Sequence, residues 1–578
     1  MPSTDQRWRP FGASSRTAPP PPPLASSFNT PGASPQAWHP ATLVVLISMW
    51  LATACNVPLW RALAALPDQT GLRSWGFGLA FAVIVAAGNV AVLSLLAWGR
   101  GTKPVLVLAL LMAAFGAYFM LSYGIVIDAS MLTNVLQTNV REAGDLLNWR
   151  LPVTVLTLAA PPLWWLLRRP VRPLGALRHV VHNAVLLLAA AGVLVASLLL
   201  VFQDFASTMR NHTQLRYLIN PLNSVYALGD IATKPLRMDT SVLLPLGRDA
   251  QLGASYAQQT KPPLLVLVLG ETARSANFGL NGYARPTTPL LSARSDISSA
   301  RNAWSCGTST ATSLPCMFSH LGRDHFEGRK ANFESLLDVL QHAGLAVLWV
   351  DNQSGCKGVC DRVTEVSTSK QKDTAHCAGG ECPDTVMLEG LEARLAALPA
   401  EQRARGTVVV LHQMGSHGPA YYKRSEPSLK RFGPECSSSA LQECDQAQVV
   451  NAYDNSIVAT DYFVDSTIKW LETQSDQAQT AMVYVSDHGE SLGENNLYLH
   501  GLPYTIAPDV QKHVPWVTWL SAAMQSRQRM TTSCLQKDLA QRRITHDHYF
   551  HSVLGLMDVH TEAYQPAQDI YAPCRSPG

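Results

Sequence analysis

The stretch LLVLVLGE, residues 264–271, is an uninterrupted apolar run that ends in a glycine and a carboxylate. Short apolar runs of the same kind recur further along the chain, and helix-like segments separate them. The other runs are 345–350, 407–411, 482–485 and 517–520, and the helix-like segments are 333–342, 385–398 and 450–471. Continuous apolar strands that alternate with helices predict an α/β domain with a mostly parallel sheet, covered on both faces.

Polar residues follow four of these predicted strands. They are Glu271, Asp351, His412 with His417 shortly after it, and the pair Asp487 and His488. Reactive groups gather beyond the carboxyl ends of parallel strands, so these side chains are expected to converge. Carboxylate and imidazole ligands suit zinc or manganese. A lone glutamate after a strand is more often a helix cap, but the string SDHGES, residues 486–491, is more specific, because Gly489 lets the backbone turn closely.

A second string, SCGTSTATSLPC at residues 305–316, places hydroxyl groups at high density between two cysteines. A closed ring would fix one hydroxyl in place, and a helix N-terminus beneath it would favour an incoming anion. The alternative is a Ser/Thr-rich turn that merely caps a helix. The sequence alone leaves both interpretations open.

The first third of the chain is different, because it holds five apolar runs of membrane-spanning length or nearly so. They are residues 41–60, 75–98, 104–127, 151–167 and 183–202, and none contains Lys, Arg, Asp or Glu. Runs of this length predict five transmembrane helices, and the lack of charge disfavours an ion pathway among them. The alternative, buried core helices of a soluble protein, would not require five consecutive runs of this length.

Basic residues are concentrated in alternate loops between these runs. One set of loops holds Arg7, Arg9, Arg16, Arg100, Lys103, Arg168, Arg169, Arg172 and Arg178, and the other holds Arg61, Arg73, Arg141 and Arg150. The positive-inside rule therefore predicts a cytoplasmic N-terminus, and five spans deliver the rest of the chain to the far side. We expect a disordered Pro-rich tail (1–40), a membrane domain (41–203) with an exported loop (128–150), an amphipathic connector (204–257) and an exported domain (258–578).

The cysteines support this topology. Of the 11 cysteines, Cys55 lies in the first run and the other ten follow the last run. An even number in the exported part implies an oxidising compartment and up to five disulfides. Nearness in sequence suggests the pairs Cys306–Cys316, Cys356–Cys360, Cys377–Cys382, Cys436–Cys444 and Cys534–Cys574. Spacing does not fix which cysteines pair. The alternative to disulfides is a zinc–thiolate cluster, although the sequence has no recurring Cys-x-x-Cys motif of the kind that binds zinc.

The overall composition agrees with a membrane protein. Only 15% of the 578 residues are charged and 47% are hydrophobic, with a formal net charge of +3. Soluble proteins carry roughly 25% charged residues. The small net charge argues against a nucleic-acid partner, which would require a clustered basic face.

Four strings together carry a resemblance to a known family. GETAR (270–274), the 306–316 segment, HQMGSHGP (412–419) and SDHGESLG (486–493) resemble the lipid A phosphoethanolamine transferases, which include the mobile colistin-resistance enzymes. That family belongs to the alkaline phosphatase and sulfatase-like superfamily. The resemblance extends from residue 41 to the C-terminus, and DASM (128–131) fits the family's substrate-binding loop.

The resemblance implies a role for each matching residue. Thr310 would be the nucleophile, and Glu271, Asp487 and His488 would hold one zinc ion together with the Thr310 oxygen, with a second ion as an option. The remaining positions would contact the substrates: His417 and His500 the phosphoryl group or a second metal, Lys357 the phosphate, and Asn134, Thr138 and Glu142 the ethanolamine-bearing donor. His325 has no secure counterpart and receives no role.

The implied function is the transfer of phosphoethanolamine from phosphatidylethanolamine to a lipid A phosphate. The enzyme would be a monomer in the bacterial inner membrane with a periplasmic catalytic domain, and it would confer resistance to cationic peptides such as polymyxins. One alternative is a related phospho- or sulfo-ester hydrolase or transferase with another acceptor, such as a core sugar or glycerophosphate. The other is a non-catalytic, membrane-tethered binding protein. Residues 128–142 distinguish a transferase that binds a lipid donor from a hydrolase of soluble esters, because such a hydrolase would not need this loop.

Overall fold

A computed structural model of the chain describes residues 37–66, 71–137, 140–257, 259–368, 377 and 381–576. The predicted tail at 1–40 therefore falls almost entirely outside the described residues, and so does Thr138. Eleven α-helices precede the first strand in the described part. They are α1 (Pro40–Thr53), α2 (Val57–Ala64), α3 (Leu72–Leu96), α4 (Thr102–Tyr123), α5 (Ala129–Gln137), α6 (Val140–Asp145), α7 (Arg150–Arg168), α8 (Ala176–Leu200), α9 (Phe202–Asn211), α10 (Gln214–Tyr217) and α11 (Leu222–Arg237).

Five helical segments of this part are long and apolar enough to cross a membrane. They are Pro40–Ala64, Ser74–Leu96, Gly99–Tyr123, Arg150–Arg168 and Ala176–Leu200. These segments confirm the five apolar helices that the sequence predicts, with ends that differ by up to seven residues at a single terminus.

The segment after α8 is fixed to the bundle by a buried amide. Asn220 lies between α10 and α11, and its side chain donates hydrogen bonds to the carbonyls of Cys55 (3.0 Å) and Ala113 (2.6 Å). Its own N–H donates to Asn56 Oδ1 at 2.9 Å. Because an apolar environment offers no water to backbone carbonyls, such side-chain amides join helices firmly.

The second half of the chain is built on an eight-stranded sheet. The strands in the described residues are β1 (Asp239–Leu244), β2 (Gln251–Leu252), β3 (Pro263–Gly270), β4 (Ile297–Trp304), β5 (Ala331–Phe333), β6 (Ala346–Asp351), β7 (Thr364–Ser367), β8 (Thr407–His412), β9 (Gln479–Ser486), β10 (Ser491–Glu494), β11 (Leu497–Leu499), β12 (His513–Leu520), β13 (Ile544–Thr545) and β14 (Val559–His560). The order in the large sheet is β13-β4-β12-β9-β3-β8-β6-β7, and β12 alone of these eight runs antiparallel to its neighbours.

This arrangement confirms the mostly parallel sheet. Every residue of β3, β6 and β8 is buried, which is why their sequences read as unbroken apolar runs. The helices of this half are α12 (Pro289–Ser292), α13 (Thr310–Met317), α14 (Gly322–Glu327), α15 (Leu336–His342), α16 (Leu391–Ala396), α17 (Ala400–Arg405), α18 (Gln446–Gln474), α19 (Ala522–Gln528), α20 (Thr532–Leu539) and α21 (Tyr549–Leu556).

Two predicted helices are shorter than their sequence pattern indicates. The segment 385–398 is not one helix, because Gly390 adopts φ 66° and separates the 3-10 turn Asp384–Met387 from α16. The segment 333–342 begins its helix only at Leu336. There Ser335 forms a capping box with Asp338, whose side chain accepts from the Ser335 N–H.

The five disulfides of the structure are the five pairs of neighbouring cysteines that the sequence suggests: Cys306–Cys316, Cys356–Cys360, Cys377–Cys382, Cys436–Cys444 and Cys534–Cys574. These ten cysteines therefore offer no thiolate to a zinc ion, and the rival interpretation is wrong. Cys55, inside the apolar bundle, is buried and free.

The end of α4 and the short helices α5 and α6 pack directly on the carboxyl edge of the sheet. Tyr123 and Met131 belong to the same buried cluster as residues of β3 and β8. Asp145, at the end of α6, forms ion pairs with Lys423 (2.6 Å) and Arg424 (3.2 Å) of the second half. The edge of the sheet where reactive groups gather thus faces the segment that follows α4.

Candidate active site

Two neighbouring strands bring three potential metal ligands together. Glu271 directly follows β3, and Asp487 and His488 directly follow β9, in a register that pairs Gly270 with Ser486. One ligand atom of each of the three side chains lies within 4.8 Å of the others. His488 Nε2 is 3.3 Å from Glu271 Oε1 and 3.4 Å from Asp487 Oδ2, and all three residues are buried.

Thr310 completes this cluster from another element. It is the first residue of α13, and its hydroxyl donates to Glu271 Oε2 at 2.9 Å and lies 3.4 Å from His488 Nε2. The helix begins here because Ser309 is extended at the N-cap, and the Cys306–Cys316 disulfide closes the segment into a ring. The hydroxyl thus sits at the positive end of a helix, where negative charge is stabilised.

The backbone segments that carry the potential ligands lie unusually close to their neighbours. Thr272 has φ 60°, a strained conformation for a β-branched residue, and its N–H donates to Asp487 Oδ1 at 3.1 Å. Gly415 has φ +52°, and a Cβ there would lie 2.6 Å from the Glu271 carbonyl oxygen. At Gly489 a Cβ would lie 2.0 Å from the Val510 carbonyl oxygen, in agreement with the close turn that the sequence predicts.

The charges in this cluster perturb one another strongly. Burial and the charge of Glu271 raise the pKa of Asp487 above its ordinary value. Burial would also raise the pKa of Glu271, but its hydrogen bond to His488 and the nearby imidazoles hold that pKa well below its usual range. Burial lowers the pKa of His488, yet Asp487 and Glu271 outweigh it and raise that pKa. The two carboxylates therefore strongly favour a positive charge between them.

The donor set fits a divalent cation of the zinc type. Asp487 Oδ2 is buried and has no hydrogen-bond partner, which is costly unless a cation or proton compensates it. The Nδ1 atom of His488 lies 2.9 Å from the Gly489 carbonyl and donates to it, so Nε2 faces the two carboxylates, where its lone pair can take a proton or a metal ion. Two carboxylates, one imidazole and a hydroxyl are ligand types that zinc accepts.

Two predicted strand-end residues lie beside this cluster and not in it. His412 Nδ1 and Asp351 Oδ1 are 3.0 Å apart, so these side chains pair with each other. Their strands, β8 and β6, are neighbours on the far side of β3. The expectation that all the strand-end residues would converge on one site is therefore wrong for this pair.

Four of the residues predicted to contact the substrates line one small cavity. It measures about 70 Å³ and is shared by both halves of the chain. Among its lining residues are Thr310, Lys357, His417, His500 and Asn134, the last from α5. The ring of His500 lies 4.2 Å from that of His488 and 5.8 Å from that of His417, measured between centroids. Glu142 belongs to α6, but its side chain lies outside the described residues.

Two further buried residues at the site escape the sequence patterns. Gln353 Nε2 donates to Glu271 Oε2 at 3.1 Å. His546 joins the end of β9 to the disulfide ring, because its Nε2 is 3.0 Å from the Ser486 carbonyl and its Nδ1 accepts from the Cys306 N–H at 3.2 Å. Burial lowers the pKa of His546 to about 3, so it acts as a neutral hydrogen-bonding group. Gln353 lies three residues after the end of a predicted strand, but His546 has no local signal.

Comparison with known proteins gives the same division of the chain. Residues 263–559 match the sulfatase family model, and residues 85–236 match the model described as phosphoethanolamine transferase EptA/EptB. The phosphoethanolamine transferase EptA of Salmonella typhimurium is 38% identical over 92% of this chain and 96% of its own length. The phosphatidylethanolamine transferase Mcr-1 of Escherichia coli is 35% identical over 90% of this chain and 95% of its own.

A solved structure agrees over nearly the whole chain. The integral membrane protein lipooligosaccharide phosphoethanolamine transferase A of Neisseria meningitidis is 34% identical, with a TM-score of 0.87. The match covers 93% of this chain and 99% of that protein. Both the apolar helices and the sheet domain are therefore similar to a membrane protein of known structure.

Proposed function

Because the chain belongs to the phosphoethanolamine transferases, we propose that it moves phosphoethanolamine from phosphatidylethanolamine to a phosphate of lipid A through a covalent bond to Thr310. The observation that carries this proposal is the position of the Thr310 hydroxyl. It contacts the carboxylate and imidazole cluster and also lines the cavity that both halves of the chain form. A nucleophile placed there can reach a lipid headgroup that enters from the membrane side.

In the first step, the Thr310 hydroxyl oxygen, held by Glu271 Oε2 at 2.9 Å, attacks the donor phosphorus, and its proton passes to His417 or His500 in the same cavity. The bond from phosphorus to the glycerol oxygen breaks, and diacylglycerol leaves with a proton that His417 or His500 supplies. Phosphoethanolamine remains on Thr310. Lys357 and the two imidazoles, which line the cavity, stabilise the charge on the transferring oxygens.

In the second step, a phosphate oxygen of lipid A attacks the same phosphorus. The bond to Thr310 breaks, a new phosphate–phosphate linkage forms, and the threonine oxygen takes the proton that the attacking lipid A phosphate gives up. The acceptor part of the proposal draws on the relative from Neisseria meningitidis, which is described as a lipooligosaccharide transferase. Asn134, on the wall contributed by the membrane half, is placed to contact the donor headgroup, and we extend that role to Thr138 and Glu142.

Glu271, Asp487, His488 and Thr310 are the residues that would hold one zinc ion. When bound, zinc would lower the pKa of the Thr310 hydroxyl and offset charge on the phosphoryl oxygens. The buried Asp487 Oδ2 has no hydrogen-bond partner, which is the feature of this chain that supports the assignment.

We place the sheet domain in the periplasm and the N-terminus in the cytoplasm. The distribution of basic loop residues and the five disulfides support this orientation. Donor and acceptor would both be presented by the outer leaflet of the inner membrane. An added ammonium group would reduce the negative charge of lipid A, so cationic peptides such as polymyxins would bind it more weakly.

The test is mass spectrometry of lipid A from cells that express the wild type or Thr310→Ala. We expect lipid A with added phosphoethanolamine from the wild type alone. Addition that persists in Thr310→Ala would contradict the proposed nucleophile. Unmodified lipid A in both, together with diacylglycerol and free phosphoethanolamine in the wild type, would indicate a hydrolase instead.

A further inference from the structure

The side chain of Gln353 is buried beside Glu271, one of the proposed zinc ligands. The proposed steps do not use it. It is 4% exposed and lies in the turn after β6. Its Nε2 donates to Glu271 Oε2 at 3.1 Å, and the same oxygen accepts the Thr310 hydroxyl at 2.9 Å. Gln353 therefore contacts the carboxylate at the atom through which Glu271 holds the nucleophile.

The amide of Gln353 can point in only one direction. Its Oε1 accepts the N–H of Ser354 at 2.5 Å and the hydroxyl of Ser354 at 2.6 Å. Since both of these partners are donors, the amide nitrogen must face Glu271. The Ser354 hydroxyl oxygen in turn accepts a hydrogen bond from Lys357 Nζ at 2.9 Å. In this series of hydrogen bonds every donor therefore points the same way, from the Lys357 ammonium toward the Glu271 carboxylate.

The backbone that presents Gln353 is fixed by the Asp351 and His412 pair. Asp351 Oδ1 accepts the N–H of Gln353 at 3.0 Å, and Oδ2 accepts the N–H of Gly355 at 2.6 Å. His412 Nδ1 lies 3.0 Å from Asp351 Oδ1. These two strand-end residues lie outside the metal cluster, yet they hold the turn that reaches it.

We propose that Gln353 is a positioning residue that fixes the Glu271 carboxylate toward zinc and the Thr310 hydroxyl. A carboxylate ligand can rotate and can present either oxygen, so a fixed donor behind it selects one geometry. Loss of such a partner typically weakens metal binding or activity by 10–100-fold. The inference rests on the proposed function, because it requires a metal ion at Glu271. In this role Gln353 acts through Glu271, although it also lines the cavity that holds Thr310.

The experiment compares buried glutamines that lie at the ends of neighbouring strands. Gln353→Met removes the donor to Glu271 while it keeps the length of the side chain, and Gln353→Asn keeps an amide that is too short to reach. Gln413→Met is the matched control, because Gln413 is equally buried and bonds Asp384 instead of Glu271. For each full-length protein in detergent, we would measure zinc affinity, the visible spectrum of the cobalt-loaded form, and the thermal stability of the metal-free form.

We expect both Gln353 variants to lose about 10–100-fold in zinc affinity and to shift the cobalt spectrum. Gln413→Met should keep its affinity within about threefold, even if its metal-free form melts earlier, because a merely structural defect does not change ligand geometry. Affinities of the Gln353 variants that equal the wild type, or a loss that Gln413→Met shares, would overturn the inference. If Gln353→Met does not fold, Gln353→Asn decides alone.

A fourth protein separates this inference from the proposed function. Glu271→Gln should bind zinc far more weakly than the wild type. If the wild type and Glu271→Gln bind zinc equally, the metal centre of the proposed function is wrong and the role of Gln353 falls with it. If Glu271→Gln loses zinc but the Gln353 variants do not, only the role of Gln353 is wrong.

Discussion

The two walls of the site are built in different ways. On the sheet side, Glu271, Asp487, His488 and Thr310 are buried, and hydrogen bonds hold Glu271, Asp487 and Thr310 in place. On the membrane side, the cavity is lined by apolar residues such as Ile125, with Asn134 from the short helix α5. The difference suggests a division of labour. Under the proposed function, the sheet edge would fix the reacting groups, and the segment that follows α4 would select the lipid that they react with.

The largest effect should come from the nucleophile on the sheet side. We expect Thr310→Ala to reduce transfer by about 10³-fold or more, because it removes the hydroxyl that we propose as the site of the covalent bond. Thr312→Ala is the control, since Thr312 lies in the same helix and its hydroxyl accepts from Ser309 instead of contacting Glu271. Transfer would be measured with purified lipids, and a large loss in Thr312→Ala would mean that the helix, not one hydroxyl, is being damaged.

Removal of the metal tests the same wall. Dialysis against a chelator should abolish transfer, and added zinc should restore it, because the buried Asp487 Oδ2 has no hydrogen-bond partner that could replace the ion. Asp487→Asn should lower zinc content and activity together. Full activity in a preparation shown to hold no metal would contradict the assignment of these ligands.

The membrane-side wall should respond more weakly and in a different parameter. We expect Asn134→Ala to raise the KM for phosphatidylethanolamine about tenfold, about 1.4 kcal/mol, with unchanged zinc content. Leu136→Ala is the control, because Leu136 lies on the same helix and is 70% exposed. A loss of zinc in Asn134→Ala would show that the two walls are not separate in function.

The smallest effect should come from the contact between the two halves. Asp145 pairs with Lys423 and with the buried Arg424, so Asp145→Asn should destabilise the protein by about 1 kcal/mol and change kcat little. Thermal unfolding at low and high salt would measure it. A large fall in kcat would mean that this ion pair controls the chemistry.

The sheet-side wall is the part that the sequence predicts best. Unbroken apolar runs mark buried parallel strands, and because such strands end at one edge, Glu271, Asp487 and His488 meet there. The hydroxyl-rich string is less informative by itself. Thr308 bonds the Leu502 carbonyl and Ser313 the Asp487 carbonyl, whereas Thr310 contacts Glu271, and composition does not distinguish these hydroxyls.

Local sequence patterns do not predict several other features of the fold and the site, and each has a physical reason. Strand β4 contains Ser298, Arg301 and Asn302, so it lacks the apolar signature of its neighbours. His546 contacts Cys306 across 240 residues of sequence, and only the folded chain brings them together. The side chains of Asp351 and His412 are predicted as metal ligands because of their position, but His412 Nδ1 pairs with Asp351 Oδ1 instead.

The most direct test of the account is to find the group on the threonine. The purified protein would be incubated with phosphatidylethanolamine and zinc in the absence of lipid A, quenched, digested and analysed by mass spectrometry. We expect phosphoethanolamine on Thr310, and its loss when lipid A is added before the quench. A labelled residue other than Thr310, or transfer at the normal rate with no labelled protein, would contradict the account.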